Sequence, residues 1–127
     1  VRDEYVGESG DKKVLFLHGD RFDDFIRDHP LMTAIADLGY WILQKIDPSL
    51  YWARAAKLSS KSYLHCVEHV RQRAVAHADK RGCDLVCCGH THMAAAQDRY
   101  FNSGSWTEPF CTFLTISDGS VSVVAWE

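Results

Sequence analysis

Apolar residues change their spacing along the chain, and each spacing predicts a different kind of element. Val14-Leu15-Phe16-Leu17 is a short continuous apolar run after the turn-forming residues 8–11, a pattern typical of a buried strand. Residues 84–88 form a second such run, which leads into Gly89. We expect each run to present the polar residues that follow it at the end of a strand.

The middle of the chain follows a helical period instead. Asp47-Pro48 is expected to end a first helix, and a second helix is predicted from Ser62 to about Lys80, where Gly82 stops it. The helical middle, about residues 29–82, is therefore interpreted as an insertion between strands. The residues that set the first helical face lie three or four apart: Leu31, Ile35, Leu38 and Ile42.

The tail returns to β-structure. Tyr100-Phe101-Asn102 indicates a short strand, and the segments 112–117 and 121–126 are joined by Asp118-Gly119, which predicts a hairpin. No repeat, low-complexity segment or Pro-rich linker marks a boundary. The sequence therefore predicts an α/β fold, with residues 1–127 forming one domain or part of one.

Composition narrows the class of protein. Of the 127 residues, 46% are hydrophobic and 24% are charged, as in ordinary folded domains. A formal net charge of -3 gives no general attraction for nucleic acid, so no nucleic-acid partner is expected. Five cysteines and no secretory signal favour a reducing, cytoplasmic setting. No apolar stretch is long enough for a spanning helix, and the oligomeric state is left open.

Two polar clusters follow the predicted strands: His18-Gly19-Asp20 and Gly89-His90-Thr91-His92. Imidazole is a good ligand for manganese, iron or zinc, and a His-x-His pair after glycine can direct two rings at neighbouring ions. Two ions about 3.5–4 Å apart can activate water and stabilise the attacking and leaving oxygens at phosphorus. His18, His90 and His92 are therefore candidate metal ligands.

With these motifs in this order, the chain resembles the calcineurin-like metallophosphoesterases. The resemblance implies that His18 and His90 ligate one ion and that His92 ligates the other. It also implies a four-layer αββα sandwich, of which this chain would be the carboxy-terminal half with a helical cap insertion at about 29–82. Two divalent ions are expected as cofactors, with manganese preferred and iron or zinc as alternatives.

Within that superfamily the chain is most similar to the UDP-2,3-diacylglucosamine diphosphatases. The similarity lies in Leu-His-Gly-Asp-Arg-Phe-Asp at 17–23, the helical insertion, and Tyr-Phe-Asn-Ser-Gly-Ser-Trp-Thr-Glu at 100–108, where relatives often have Asp in place of Ser105. It implies hydrolysis of a pyrophosphate in lipid A synthesis, a phosphorylated small-molecule or lipid substrate, and peripheral contact with the inner membrane. By analogy of position, the substrate-binding candidates are Asp23, Lys57, Ser60 and Lys61.

Three motifs that the resemblance requires upstream do not occur in this sequence: Asp-x-His, Gly-Asp and Gly-Asn-His-Asp. Three histidines alone do not complete a two-metal site, so the chain is expected to be a fragment that is inactive by itself. The missing half would also supply strands. Its absence is expected to leave an exposed sheet edge and an exposed apolar face.

Several residues keep two interpretations. His65 and His69 lie four residues apart on a predicted helix. They could be metal ligands, or they could be a surface pair that arises by chance. Asp20, Asp23 and Asp24 could orient His18, contact substrate or cap a turn. For the cysteines Cys83, Cys87 and Cys88, core packing is favoured over zinc binding.

The aromatic residues Trp41, Tyr51 and Trp52 could pack in the core or could contact lipid.

Two alternative functions stay open. A phosphoesterase of the same superfamily could act on another nucleotide, a phospholipid or a phosphoprotein, and would differ in its cap. A non-catalytic binding or scaffold domain would keep the fold without the chemistry. The intact Gly-His-Thr-His motif argues against the second alternative.

Overall fold

The computed structural model describes residues 3–24, 30–46, 51–107 and 110–126. Seven strands, three α-helices and a 3-10 turn follow one another along this part of the chain. In chain order they are β1 (Glu4–Ser9), β2 (Lys12–Leu17), the 3-10 turn (Asp20–Phe22), α1 (Pro30–Ile46), α2 (Tyr51–Ser59), α3 (Lys61–Lys80), β3 (Leu85–Cys88), β4 (Ala95–Gln97), β5 (Tyr100–Asn102), β6 (Thr112–Ser117) and β7 (Ser120–Ala125).

Strands β1 to β5 form one mixed sheet in the order β1-β2-β3-β5-β4. The central pairs β2–β3 and β3–β5 are parallel, whereas β1 and β4 pair antiparallel at the two edges. The carboxyl ends of β2, β3 and β5 therefore meet at the same edge of the sheet. Strands β6 and β7 form a separate antiparallel hairpin.

Both faces of the central sheet are covered, which explains the continuous apolar runs. Alternate residues of β2 point to opposite sides: Leu15 packs with Val70 of α3, and Val14 packs with Val121 of the hairpin. The described elements thus stack as helix, sheet and hairpin. The expected α/β class is confirmed, and the four-layer sandwich stays a prediction.

The predicted strands 14–17, 84–88 and 100–102 and the hairpin are confirmed, with ends that differ by one or two residues. The sequence prediction missed β1 and β4, and it did not separate α2 from its neighbours. The second predicted helix begins at Lys61, because Ser60 rather than Ser62 is its amino-terminal cap. Four residues used in the predictions lie outside the described residues: His29, Asp47, Pro48 and Glu108.

The apolar face of α1 is present but does not pack against the described core. Leu31 is 74% exposed and Trp41 55%. The aromatic residues Tyr51 and Trp52 of α2 are each 66% exposed, so the core interpretation of these aromatics is wrong for the described structure. No helix in the described ranges is both long and apolar enough to span a bilayer.

At Gly19 a side chain would meet both backbone strain and a close neighbour. Its φ is 103°, and a Cβ atom there would lie 2.6 Å from the Cys88 Sγ. We expect Gly19→Ala to lower the free energy of unfolding by about 2–4 kcal/mol, because left-handed strain and a core overlap add together. Urea unfolding measures the change.

Gly39→Ala is the matched control, because a Cβ atom at this position inside α1 would meet nothing within 4 Å. There the change should raise stability by about 0.5–1 kcal/mol. If Gly19→Ala were as stable as the parent protein, the Cys88 side chain would be able to move away at no cost in free energy. The packing between Gly19 and Cys88 would then not limit stability.

Candidate functional site

Two of the three candidate ligands come together at the carboxyl edge of the sheet. β2 and β3 are parallel neighbours, and the Gly89 N–H donates to the His18 carbonyl at 3.1 Å, just beyond both strands. The His18 and His90 ring centroids are 5.4 Å apart at an interplanar angle of 76°. His18 is exposed and His90 is partly buried, so the pair lies at the surface of the fold.

The loop that carries His90 and His92 has an unusual backbone. The Thr91 N–H donates to the Gly89 carbonyl at 2.8 Å, which closes a three-residue γ-turn around His90, where φ is 66°. His92 also has a positive φ, 55°. Two non-glycine residues in the left-handed region cost free energy, and such strain concentrates at functional sites.

Asn102 holds this loop from inside the protein. Its side chain is fully buried, at 0% exposure. The amide nitrogen donates to the Gly89 carbonyl at 2.7 Å and lies 3.1 Å from the Thr91 hydroxyl, while the amide oxygen accepts from the Gly104 N–H at 3.0 Å. Asn102 therefore joins the end of β5 to the histidine loop. This role of Asn102 could not be predicted from the sequence, because a strand-end asparagine carries no local signal for a loop thirteen residues away.

Asp23 is placed beside His90 rather than beside His18. Its Oδ2 lies 2.9 Å from the His90 Nε2, and the two side chains are only 7% and 17% exposed. An ionised Asp23 carboxylate can only accept, which favours the tautomer with the proton on Nε2. In that tautomer Nδ1 carries the lone pair that could bind a metal. Asp23 thus has the geometry of a residue that orients a ligand.

A thiol lies on the other side of the same carboxylate. Cys66 of α3 is hydrogen-bonded to Asp23, and burial, together with the charge of Asp23, raises the pKa of Cys66 to about 12. Asp23 is thereby attached both to α3 and to the histidine loop. This arrangement fixes the carboxylate before any ligand is bound.

Asp23→Asn is expected to make Cys66 more reactive. With a pKa of about 12, the thiolate is a minute fraction at pH 8, and removing the negative neighbour lowers the pKa and increases that fraction. We expect iodoacetamide to label Cys66 several-fold faster, as measured by mass spectrometry of the labelled peptide. Asp11→Asn, an exposed change beside Lys12, is the control and should leave the rate unchanged. Equal rates in the two variants would contradict the contact.

The 3-10 turn that carries Asp20 is fixed by an ion-pair cluster. Glu4 of β1 accepts from the Arg21 Nη2 at 2.9 Å, and its carboxylate lies 2.7 Å from the His77 Nε2 and 3.0 Å from the Arg81 Nε. The hydrogen bond from His77, assisted by Arg21 and Arg81, lowers the pKa of Glu4 despite partial desolvation. These contacts join β1, the turn and α3.

The substrate-binding candidates of the helical segment lie where α2 meets α3. Ser60 caps α3 by accepting from the Tyr63 N–H at 3.3 Å, and the Lys57 ammonium lies 5.1 Å from the centre of the Tyr63 ring. Lys61 is exposed on the first turn of α3. The Tyr63 hydroxyl donates to the Thr91 carbonyl at 2.7 Å, so this corner is joined to the histidine loop.

A complete metal site does not form from the described residues alone. Within the ranges that the structure describes, no group of three or more His, Cys, Asp or Glu side chains is arranged to hold an ion. His92 is exposed. Of the three candidate ligands, the structure brings the rings of His18 and His90 together. His65 and His69 stack at 6.4 Å, and the His69 Nε2 lies 3.5 Å from Asp24.

An open groove begins at the His18 end of the site. It encloses about 910 Å³ and passes from His18 and Asp20 to Tyr5 and Phe16. Its walls mix charged and apolar side chains, and the cavity reaches both His18 and the edge strand β1. The cysteines of β3, Cys87 and Cys88, and Cys83 before it are buried, as the core interpretation predicted.

Comparisons with known proteins give one kind of match. No family model matches the chain, and no curated protein is significantly similar to it in sequence. Among solved structures, the chain is similar to a single mutant of Vps29 from Entamoeba histolytica, with 16% sequence identity and a TM-score of 0.48. The match covers 100% of this chain and 62% of that chain, so this chain spans less than two thirds of the length of that protein.

At this identity and TM-score the likeness carries no inference about this chain. The mixed α/β fold with its central mixed sheet follows from the chain's own elements.

Proposed function

We propose that this chain supplies three of the ligands of a dinuclear metal-dependent phosphoesterase, with His18 and His90 on one ion and His92 on the other. The observation that carries the proposal is the His18–His90 pair, with ring centroids 5.4 Å apart at the ends of adjacent parallel strands. Strand ends of this kind are rigid and commonly present ligands. The remaining ligands would come from the motifs expected upstream.

The chain's own groups support this assignment in several ways. Asp23 holds the His90 ring in the tautomer that leaves Nδ1 as the donor atom. Asn102 fixes the Gly89 carbonyl, and the γ-turn directs His90 and His92 from a short segment. Two divalent ions, with manganese preferred over iron or zinc, would supply Lewis acidity and activate a water molecule for attack at phosphorus.

The substrate proposal is a phosphorylated lipid, and the specific candidate is UDP-2,3-diacylglucosamine, cleaved at its pyrophosphate. Its support is the sequence resemblance together with an exposed apolar surface on the helical segment, where Leu31, Ile35 and Trp52 are 74%, 64% and 66% exposed. Lys57 and Lys61 would attract the phosphates beside that surface. A surface of this composition also suits contact with the cytoplasmic face of the inner membrane.

A non-catalytic scaffold is the second candidate. The observation that favours it is that the described residues do not bring three metal-binding side chains together. Such a domain would keep the histidine pair for structural reasons and would bind no ions tightly. The two candidates differ in metal content and turnover.

The deciding experiment compares this chain with a protein extended upstream by the segment expected to carry the other ligands. Metal content is measured together with manganese-dependent hydrolysis of UDP-2,3-diacylglucosamine and of bis(p-nitrophenyl) phosphate. We expect the extended protein to bind two ions and cleave the lipid substrate, and this chain alone to do neither. If the extended protein cleaves bis(p-nitrophenyl) phosphate but not UDP-2,3-diacylglucosamine, the substrate would be a different phosphoester. An extended protein without bound metal or turnover would support the scaffold.

A further inference from the structure

The carbonyl of Thr91 belongs to the peptide that leads into His92. It accepts a hydrogen bond of 2.7 Å from the Tyr63 hydroxyl, which reaches it from the first turn of α3. Because His92 has a φ of 55°, this peptide stands in an orientation that a non-glycine residue rarely adopts. The hydrogen bond from Tyr63 stabilises the carbonyl in that orientation.

Asn102 and Asp23 contact other atoms of the loop. Asn102 binds the Gly89 carbonyl and lies close to the Thr91 hydroxyl, both on the side of the sheet. Asp23, attached to Cys66 of α3, holds the ring of His90. Among these contacts, the hydrogen bond from Tyr63 is the one made to the peptide between Thr91 and His92.

We propose that Tyr63 is a positioning residue for His92, acting through the Thr91 carbonyl. The helical segment then has two roles: its corner at Lys57 and Ser60 faces the substrate, and its first α3 turn sets the backbone of the metal-ligand loop. The Lys57 ammonium over the Tyr63 ring links the two roles through a single side chain. The expected effect of Tyr63 on turnover rests on the proposed function. Its expected effect on the backbone of the loop does not.

The first test follows the backbone and needs neither metal nor substrate. Tyr63→Phe removes only the hydroxyl and keeps the ring beneath Lys57. In this chain we expect the carbonyl carbon of Thr91 and the backbone resonances of His92 to shift in the NMR spectrum, while those of β2 and β3 stay in place. Tyr51→Phe is the control, because Tyr51 is an exposed tyrosine of α2, and it should shift neither residue.

The second test follows turnover of bis(p-nitrophenyl) phosphate with manganese. Misplacing a catalytic group by about an ångström costs on the order of 100-fold, so Tyr63→Phe should lower kcat roughly 10- to 100-fold. KM should change less than the turnover number, because the change leaves the lysines intact. If Tyr63→Phe instead unfolded part of the protein, kcat would fall in proportion to the fraction of folded protein measured by circular dichroism.

The outcomes separate this inference from the proposed function. Unchanged Thr91 and His92 resonances in Tyr63→Phe would overturn the positioning role, whatever the activity. Shifted resonances in a protein that shows no phosphoesterase activity would keep Tyr63 as the residue that sets the loop and would remove the proposed function instead. Shifted resonances with an unchanged kcat would also overturn the role in turnover, because His92 would not need the observed backbone.

Discussion

Replacing Asn102 with leucine is expected to lower the free energy of unfolding by about 3–5 kcal/mol, the largest stability effect that this structure predicts. Leucine has nearly the same shape, so the effect comes from polar atoms left without partners. The Gly89 carbonyl and the Gly104 N–H lose hydrogen bonds of 2.7 and 3.0 Å. These two groups are partly buried, and the buried hydroxyls of Thr91 and Tyr100 also lose their contacts with the Asn102 amide, at 3.1 and 3.0 Å. A polar group stranded away from water costs roughly 1–3 kcal/mol.

The same substitution should release the histidine loop. The γ-turn at His90 is strained, and it persists only while surrounding contacts compensate for that strain. We therefore expect the amide of Thr91 to lose protection from hydrogen exchange by more than the global loss of stability explains. Chemical denaturation and hydrogen exchange measured on one variant test both parts.

Gln97→Leu is the matched control for Asn102→Leu. It makes a similar exchange of an amide side chain at an exposed position of the edge strand β4, where the effect should stay within about 0.5 kcal/mol. A loss below about 1 kcal/mol at Asn102 would mean that water or a shifted backbone replaces its hydrogen bonds. The loop would then be held mainly from the side of α3.

Local sequence patterns were sufficient for the elements that carry the histidines. Runs such as 14–17 and 84–88 are largely apolar because both faces of the sheet are covered, and this pattern marks a buried strand without an alignment. Their parallel pairing then brings His18 near His90. Strands β1 and β4 escaped prediction because edge strands with one solvated face mix polar and apolar residues.

Contacts between distant segments could not be predicted from spacing. Asp23 is a candidate from its position after a strand, but its partner His90 lies 67 residues away and is identified only by the structure. Tyr63 gave no signal, and Asn102 was marked only as part of the strand 100–102 and of the motif at 100–108. The role of each depends on a carbonyl that another element presents. The exposed face of α1 shows the converse: helical spacing predicted the face but not what, if anything, covers it.

On the proposed function, His90→Ala should abolish at least about 99.9% of the manganese-dependent turnover of the protein extended upstream. Loss of a ligand removes stabilisation of the charge that develops at phosphorus, and a 10³-fold fall corresponds to about 4 kcal/mol of transition-state stabilisation. The substitution also leaves Asp23 without the ring that lies 2.9 Å from its carboxylate, at a side chain only 7% exposed. Some loss of stability should accompany the loss of turnover.

His90→Asn separates the two effects, because the side-chain amide keeps polarity and much of the volume but is a poor ligand for these ions. It should retain more stability than alanine and still lose turnover and one bound ion, measured by metal analysis after gel filtration. His65→Ala, an exposed change on α3, should retain turnover and metal content. If His90→Asn kept both ions and full turnover, the histidine pair at the strand ends would not be the metal site, and the phosphoesterase proposal would have to be abandoned.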